Sequence, residues 1–202
     1  MMARTVAALA RNGFDVRSYT DRKELIAQVM KNIGQNVSVG IGGSVTVRSI
    51  GLMEDLTKRS VRLLDHWKEG LTKKEIDIIR LQQLTCDVFL SSANAITEHG
   101  EIVNTDGFGN RVSAMIFGPK KVIIIAGYNK IVPDIPAALD RIKRVAAPMN
   151  AKRLDLPLPC AESGHCHDCT AEERICRVTS IMQRRPIGAD MSIFLMNEEL
   201  GL

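Results

Sequence analysis

Aromatic residues are scarce in this sequence: one Trp, two Tyr and five Phe make up 4% of its 202 residues. No apolar run approaches the roughly 18 residues of a membrane helix, and the apolar stretch within residues 1–11 is too short for a signal peptide. A strong net charge is also missing, because 27 basic side chains are interspersed with 23 acidic ones. Without basic blocks or stacking aromatics, nothing predicts a nucleic-acid surface. We therefore expect a cytoplasmic protein with no membrane span.

Cysteine is confined to five positions, and four of them fall within residues 160–176. Such crowding favours reduced thiols or metal ligands over the disulfide framework of a secreted protein. The fifth, Cys86, lies beside a predicted strand and is expected to pack in the core. The length suits one substantial domain. We expect an α/β domain over residues 1–155, with a cysteine-rich loop and C-terminal strands at 156–202 completing the same domain.

Strand and helix patterns alternate along the chain. Asp21 with Glu24 and Thr72 with Glu75 have the spacing of capping boxes, each followed by apolar residues at helical intervals. A further helix is predicted from Asp134 to Pro148. Short β-branched runs predict buried strands at residues 37–41, 61–64, 88–90 and 122–126. This order predicts a mostly parallel sheet with helices on both faces, and residues 178–182 and 191–196 are expected to be edge or closing strands.

A glycine loop follows the strand at residues 37–41. Gly42 and Gly43 allow a close backbone approach, and Ser44 and Thr46 open a helix whose free N–H groups suit an anion. The spacing is not that of a Walker loop. An ordinary tight turn capped by Ser44 explains the same residues, and the loop alone does not separate the two interpretations.

A polar stretch connects the strands at residues 88–90 and 122–126. A hairpin is predicted over residues 96–103, and Asn110 is expected to cap a short helix that places Arg111 in its first turn. Parallel strands end at one edge of a sheet, so this stretch and the glycine loop should face each other. We predict that a small anionic ligand, phosphate-bearing or a carboxylate, binds there, although a solvated turn with an ordinary cap is the alternative. The candidate residues of this stretch are Asn94, Glu98, Asn104, Asp106, Asn110 and Arg111.

The C-terminal thiols are separated by five, two and six residues and are Cys160, Cys166, Cys169 and Cys176. Four soft ligands in one loop are suited to zinc or an iron–sulfur cluster. The outer spacings match neither a bacterial ferredoxin nor a zinc ribbon, so the spacing does not select the metal. Free thiols or one labile disulfide are the alternatives.

Several segments together resemble the LUD-domain, or lactate utilization, family: GIGGSVTVRSIGL, the run DVFLSSANAITEHGEIVNTDGFGNRVSAMIFGPKKVIIIAGYNKIV, AAPMNAKRL and the final cysteine motif. The resemblance covers nearly the whole chain. It implies the fold shared by ribose-5-phosphate isomerase, glucosamine-6-phosphate deaminase and CoA transferases. It also implies a role in the oxidation of L-lactate to pyruvate, alongside iron–sulfur partner proteins.

The run SANAITEHGEIVNTDG is similar, more distantly, to a segment of methylthioribose-1-phosphate isomerases. Asn94 stands where those enzymes carry a catalytic Asp, and Thr105 where they carry Lys, so the evident general acid/base is missing. Glu98 and Asp106 remain as candidate catalytic groups.

The leading hypothesis is a component or accessory of L-lactate oxidation. Its cysteine cluster would either fix the C-terminal segment with zinc or relay electrons through iron and sulfide. A stand-alone enzyme acting on a sugar phosphate or an acyl-CoA is one alternative, and a non-catalytic assembly or sensing subunit is another. The sequence leaves the reaction and the oligomeric state open, a homo-oligomer included.

Overall fold

Strands and helices alternate along residues 1–202, all of which the computed structural model describes. The strands are β1 (Asp15–Tyr19), β2 (Ser38–Ile41), β3 (Arg62–Asp65), β4 (Val88–Ser91), β5 (Ala95–Thr97), β6 (Ile102–Asp106), β7 (Lys121–Gly127), β8 (Ile131–Val132), β9 (Val178–Met182) and β10 (Asp190–Met196). The helices are α1 (Met2–Arg11), α2 (Arg22–Lys31), α3 (Val45–Ser49), α4 (Leu52–Thr57), α5 (Lys73–Gln83), α6 (Asn110–Ile116), α7 (Ile135–Arg141), α8 (Ala147–Arg153) and α9 (Pro159–Ser163). None of these helices combines the length and apolarity needed to cross a bilayer.

The main sheet has six parallel strands in the order β1-β10-β7-β4-β2-β3. Successive side chains of β7 point to opposite faces, so Ile124 joins one apolar cluster and Ile125 the other. Helices α1 and α6 cover the first face, and α2, α3 and α4 cover the second. The predicted α/β fold with a mostly parallel sheet is confirmed.

Strand β10 departs from the prediction of an edge or closing strand at residues 191–196. It lies inside the sheet, where it pairs with both β1 and β7. Its residues from Met191 to Met196 are all buried. Strands buried on both faces read as continuous apolar runs, which is the pattern of this segment.

A second sheet of four strands, in the order β8-β5-β6-β9, was not expected from the sequence. Its centre is the predicted hairpin, which is confirmed: β5 and β6 pair antiparallel, with Ile96 opposite Ile102. Strand β9 adds to the outer side of β6, so residues 178–182 do form an edge strand. Helix α7 packs on this sheet in a small core that includes Ala95 and Ala138.

The predicted helix starts are confirmed at two positions. The Asp21 carboxylate accepts the N–H groups of Lys23 and Glu24, and Thr72 and Glu75 form a reciprocal capping box. Two helix lengths were predicted wrongly. The apolar spacing of Val47, Ile50, Leu52 and Leu56 predicts that the helix opened by Ser44 continues past residue 51, but Gly51, at φ +87°, separates α3 from α4.

The second error concerns the helix expected to end at Pro148. A π-helical turn at Ile142–Ala146 connects α7 to α8, so the helical chain continues to Arg153. Proline removes one helical N–H donor and clashes with the carbonyl four residues earlier. Pro148 is the second residue of α8, directly after this π turn, whose hydrogen bonds span five residues and interrupt the α-helical pattern.

Candidate functional site

A cavity of about 210 Å³ lies where the carboxyl ends of the main strands meet the second sheet. Its wall is formed by residues at or after the ends of β2, β3, β4, β6 and β7, together with residues of the π turn and α8. The predicted site residues that line it are Gly43, Ser44, Thr46, Asn94, Asp106, Asn110 and Arg111. Residues that the sequence analysis did not select include His66, Arg80, Ser92, Lys130 and Arg153.

The glycine loop lies on the β2 side of this cavity. Gly43 packs against the indole of Trp67, since a Cβ atom at this position would lie 2.7 Å from Trp67 Nε1. Ser44 caps α3 by accepting the N–H of Val47 at 3.2 Å, as expected. Gly42 does not line the cavity and instead packs against the side chains of Ser91 and Arg111.

Arg111 lies opposite the glycine loop, and its guanidinium is held by the protein. One nitrogen donates to Asn104 Oδ1 at 2.8 Å, and the other donates to Asn94 Oδ1 at 3.2 Å and to the Thr105 carbonyl at 2.7 Å. The Asn94 and Asn104 side chains also accept backbone N–H groups from each other's strands. Burial lowers the pKa of Arg111, and the nearby Asp106 opposes that shift. The arrangement fixes one cation at the cavity wall.

Asp106 has a structural role that the sequence did not indicate. Its carboxylate accepts the backbone N–H groups of Gly107 and Arg111, each at 2.9 Å, and of Val112 at 3.2 Å. Helix α6 is therefore capped by Asp106, and the predicted cap by Asn110 is wrong. Asn110 is the first residue of α6 and borders the cavity.

Lys130 is the functional candidate that sequence reasoning missed. It follows the buried strand β7 and is 3% exposed, and its Nζ donates to the hydroxyls of Thr46 and Ser92, both at 3.0 Å. Burial, followed by the charges of Arg141 and Arg111, lowers the pKa of Lys130 to about 7. The signal available in the sequence was a lysine three residues beyond the most apolar strand, at the edge where ligands bind.

Most of the positive charge around this cavity has no ion-pair partner. No Asp or Glu carboxylate lies within 4.0 Å of the side-chain nitrogens of Lys130, Arg111, Arg141 or Arg153. Arg80, which also lines the cavity, pairs with Asp77 at 3.3 Å, and Arg141 donates to the main-chain oxygen of Leu202 at 3.5 Å. Asp106 is the only acidic residue in the wall, and three N–H groups already occupy its carboxylate. The side chains of the wall therefore carry more positive than negative charge.

His66 borders the same cavity as a neutral ring. Burial, and then the charge of Arg80, lowers the pKa of His66 to about 4. The Gln83 amide nitrogen lies 3.0 Å from His66 Nδ1 and also donates to the carbonyls of Ile41 and Leu64. An amide nitrogen has two hydrogens to donate, so it cannot donate to these three acceptors at once.

Glu98 is not brought to the cavity. It lies at the tip of the β5–β6 hairpin, where its carboxylate forms an ion pair with Arg4 at 2.7 Å. The crevice predicted to contain Glu98 therefore lacks it. Asn104 is 2% exposed and lies behind the cavity wall, where its side-chain oxygen accepts a hydrogen bond from Arg111.

The four C-terminal thiols are free, and no group of three or more metal-binding side chains is close enough to hold an ion. Cys160 is buried in a small core that Cys169 contacts, while Cys166, Cys169 and Cys176 are half-buried. Burial, and then the neighbouring Cys169 and Cys176, raises the pKa of Cys160. Thiolates are suitable zinc or iron ligands, and metal binding by this loop stays a prediction. Cys176 also lines the cavity.

The chain is thus an α/β protein with a parallel sheet and a cation-lined cavity at the carboxyl edge of that sheet, the edge where such folds commonly bind ligands. Within that class, the family model described as the LUD domain matches residues 2–196, and the chain belongs to the LUD domain family.

Two solved structures are similar to the chain. A DUF162 family protein from Deinococcus radiodurans has a TM-score of 0.56 at 11% identity, over 97% of this chain and 96% of that one. This likeness shows a shared fold. An eIF2B beta structure from Chaetomium thermophilum gives a TM-score of 0.41 at 14% identity, over 57% of this chain and 44% of that one. No curated protein matches the sequence.

Proposed function

We propose that this LUD-domain protein binds a small anion in its cavity and acts as a cytoplasmic component or accessory of L-lactate oxidation to pyruvate. Membership of the family supports the lactate context. The observation that carries the binding proposal is a group of three cavity cations, Lys130, Arg111 and Arg153, with no Asp or Glu carboxylate within 4.0 Å, above all the buried Lys130. A carboxylate or phosphate group is the ligand that this group suits.

Burial of the Lys130 amino group explains why an anion would bind here. Removing a cation from water costs free energy unless an opposite charge or hydrogen bonds compensate. At Lys130 the structure supplies two hydroxyl acceptors and no charge. A bound anion would supply the missing charge where water is largely excluded and the interaction is strong.

Trp67 offers a direct test, because it is the only tryptophan and lines the cavity. L-lactate, pyruvate and inorganic phosphate would be titrated separately while tryptophan fluorescence and heat are recorded. We expect at least one anion to bind and the Lys130→Met variant to bind it at least about tenfold more weakly, since the loss of one close charge exceeds about 1.4 kcal/mol. Equal affinity in this variant would contradict the proposal.

Lys31→Met is the matched control for this test. Lys31 is exposed in the last turn of α2 and lies outside the cavity. The same chemical change there should leave the affinity unaltered. A parallel loss in both variants would mean that net charge, and not the cavity, attracts the anion.

We also propose that zinc or an iron–sulfur cluster is held by Cys160, Cys166, Cys169 and Cys176. An iron–sulfur cluster would exchange electrons with iron–sulfur partner proteins. Cys169 packs against the small core that contains Cys160, which supports the proximity of these two thiols. Metal and acid-labile sulfide would be measured on anaerobically purified protein and on the Cys166→Ser/Cys169→Ser variant. Iron with sulfide would support electron transfer, zinc would support a structural role, and wild type without metal would contradict the proposal.

The site geometry favours binding over acid/base catalysis by the groups first selected. Glu98 lies outside the cavity and Asp106 caps α6. We therefore expect Glu98→Gln to leave anion affinity unchanged. A stand-alone isomerase or CoA transferase activity lost in this variant would instead support the enzyme alternative.

A further inference from the structure

Lys130 has features that anion binding alone does not require. Its amino group is almost fully buried at the cavity wall, between two hydroxyl groups and among guanidinium groups. Arg111 and Arg141 supply permanent positive charge nearby, whether Lys130 is charged or neutral. An anion can therefore be bound beside an amine that is free to lose its proton.

We propose that Lys130 Nζ attacks the carbonyl carbon of a small anionic carbonyl compound in the cavity and forms an imine with it. This inference rests on the anion site proposed above and names the chemistry that the site would perform. The substrate class is a compound of a few carbons that carries a ketone or aldehyde together with a carboxylate or phosphate.

The step balances without any further reactant. The lone pair of neutral Nζ forms the carbon–nitrogen bond, and the carbonyl carbon–oxygen bond breaks. The two hydrogens of the amine leave with that oxygen as one water molecule. No oxidant or reductant is consumed, and hydrolysis reverses the step.

Three features of the surroundings favour this reaction. A lysine amine is nucleophilic only when it is neutral, and burial among cations lowers the pKa of Lys130 to about 7 in the empty cavity, so a large share is neutral near pH 7 when the substrate enters. Both N–H bonds of the neutral amine can donate to Thr46 and Ser92, which leaves the lone pair for a molecule in the cavity. The same hydroxyls are placed to pass protons to the departing oxygen.

The cavity also limits the substrate. A volume of about 210 Å³ admits a molecule of a few carbons, and Asp106 carries the only acidic side chain in its wall. A carboxylate and a phosphate share the chemistry that these cations recognise. A carboxylate substrate is distinguished from a phosphate substrate by testing one compound of each kind separately.

The test is reductive trapping followed by mapping of the modified residue. The full chain would be incubated with pyruvate or with dihydroxyacetone phosphate, reduced with sodium cyanoborohydride and digested, and the adduct located by mass spectrometry. Acetone, which has the carbonyl but no anionic group, is the control probe. We expect one dominant adduct, on Lys130, with pyruvate or the phosphate and at least about tenfold less with acetone.

Lys130→Arg keeps the charge but loses the reactive amine, so it should bind the same anion and form no adduct. Mapping on the wild type makes the result independent of how any variant folds. If calorimetry shows an anion bound and no adduct appears on Lys130, the imine inference is overturned while the anion site stands. If no anion binds and lysines are modified in proportion to exposure, both proposals are overturned.

Discussion

Lys130 is a basic side chain that is buried among other basic side chains. Its amine is 3% exposed beside Arg111 and Arg141, and Arg153 and a neutral His66 border the same cavity. A residue in this position destabilises the folded chain while it is charged. Such residues are commonly retained for the chemistry of a site.

The lowered pKa of Lys130 predicts how the free energy of unfolding changes with pH. Lys130 loses its proton near pH 7 in the folded protein, whereas an unfolded lysine keeps it to about pH 10.4. Between these values the unfolded chain binds more protons, so the contribution of Lys130 to the free energy of unfolding rises with pH. Relative to Lys130→Met, wild type should gain at most about 1.4 kcal/mol per pH unit from about pH 7 to pH 10. Urea unfolding of both proteins measures this, and a constant difference would contradict it.

Gly43 allows a second test at this scale. The Cβ atom of Gly43→Ala would lie 2.7 Å from Trp67 Nε1, so the indole must move. Trp67 is 41% exposed, and we expect it to shift outward at a stability cost below about 1 kcal/mol. Its fluorescence emission should shift to longer wavelength. Gly34→Ala, where the added atom meets only Val37 at 3.4 Å, is the control and should leave the spectrum unchanged.

Local patterns determined the helices and strands more completely than they determined the contacts between them. Capping residues at Asp21 and Thr72 start helices through bonds to residues two or three positions away, and the sequence displays such bonds directly. The cap of α6 comes from Asp106, four residues before the helix begins, and periodicity does not reveal it. The π turn before Pro148 was hidden for a similar reason, because apolar spacing does not distinguish a single turn with five-residue hydrogen bonds from the α-helix around it.

Helix α6 gives a prediction at the scale of one element. Asp106→Ala would leave the N–H groups of Gly107, Arg111 and Val112 without their acceptor, and we expect a loss of about 1–2 kcal/mol in the free energy of unfolding. Asp106→Asn keeps one oxygen acceptor and should lose less. Denaturant unfolding of both variants measures this order. Unchanged stability in Asp106→Ala would show that the carboxylate is retained for its chemistry and not for the cap.

For the whole molecule, the class of fold and the edge that carries the site followed from the alternation of strands and helices. Both predicted loops reach one cavity, because parallel strands end at the same edge. The order of the strands could not be predicted, since pairing joins segments far apart in sequence. This explains both the misplacement of β10 and the omission of Lys130, whose partners Thr46 and Ser92 are 84 and 38 residues away.

The central position of β10 makes stability depend on a strand formed near the end of the sequence. Phe194 is fully buried there and contacts the ring of Tyr19 edge-on, with centroids 5.9 Å apart. We expect Phe194→Ala to lower the free energy of unfolding by about 3–5 kcal/mol, through lost burial and the cavity left behind. Val178→Ala, in the edge strand β9 at 43% exposure, should cost under about 1 kcal/mol. Urea unfolding compares the two, and similar losses would contradict the interior placement of β10.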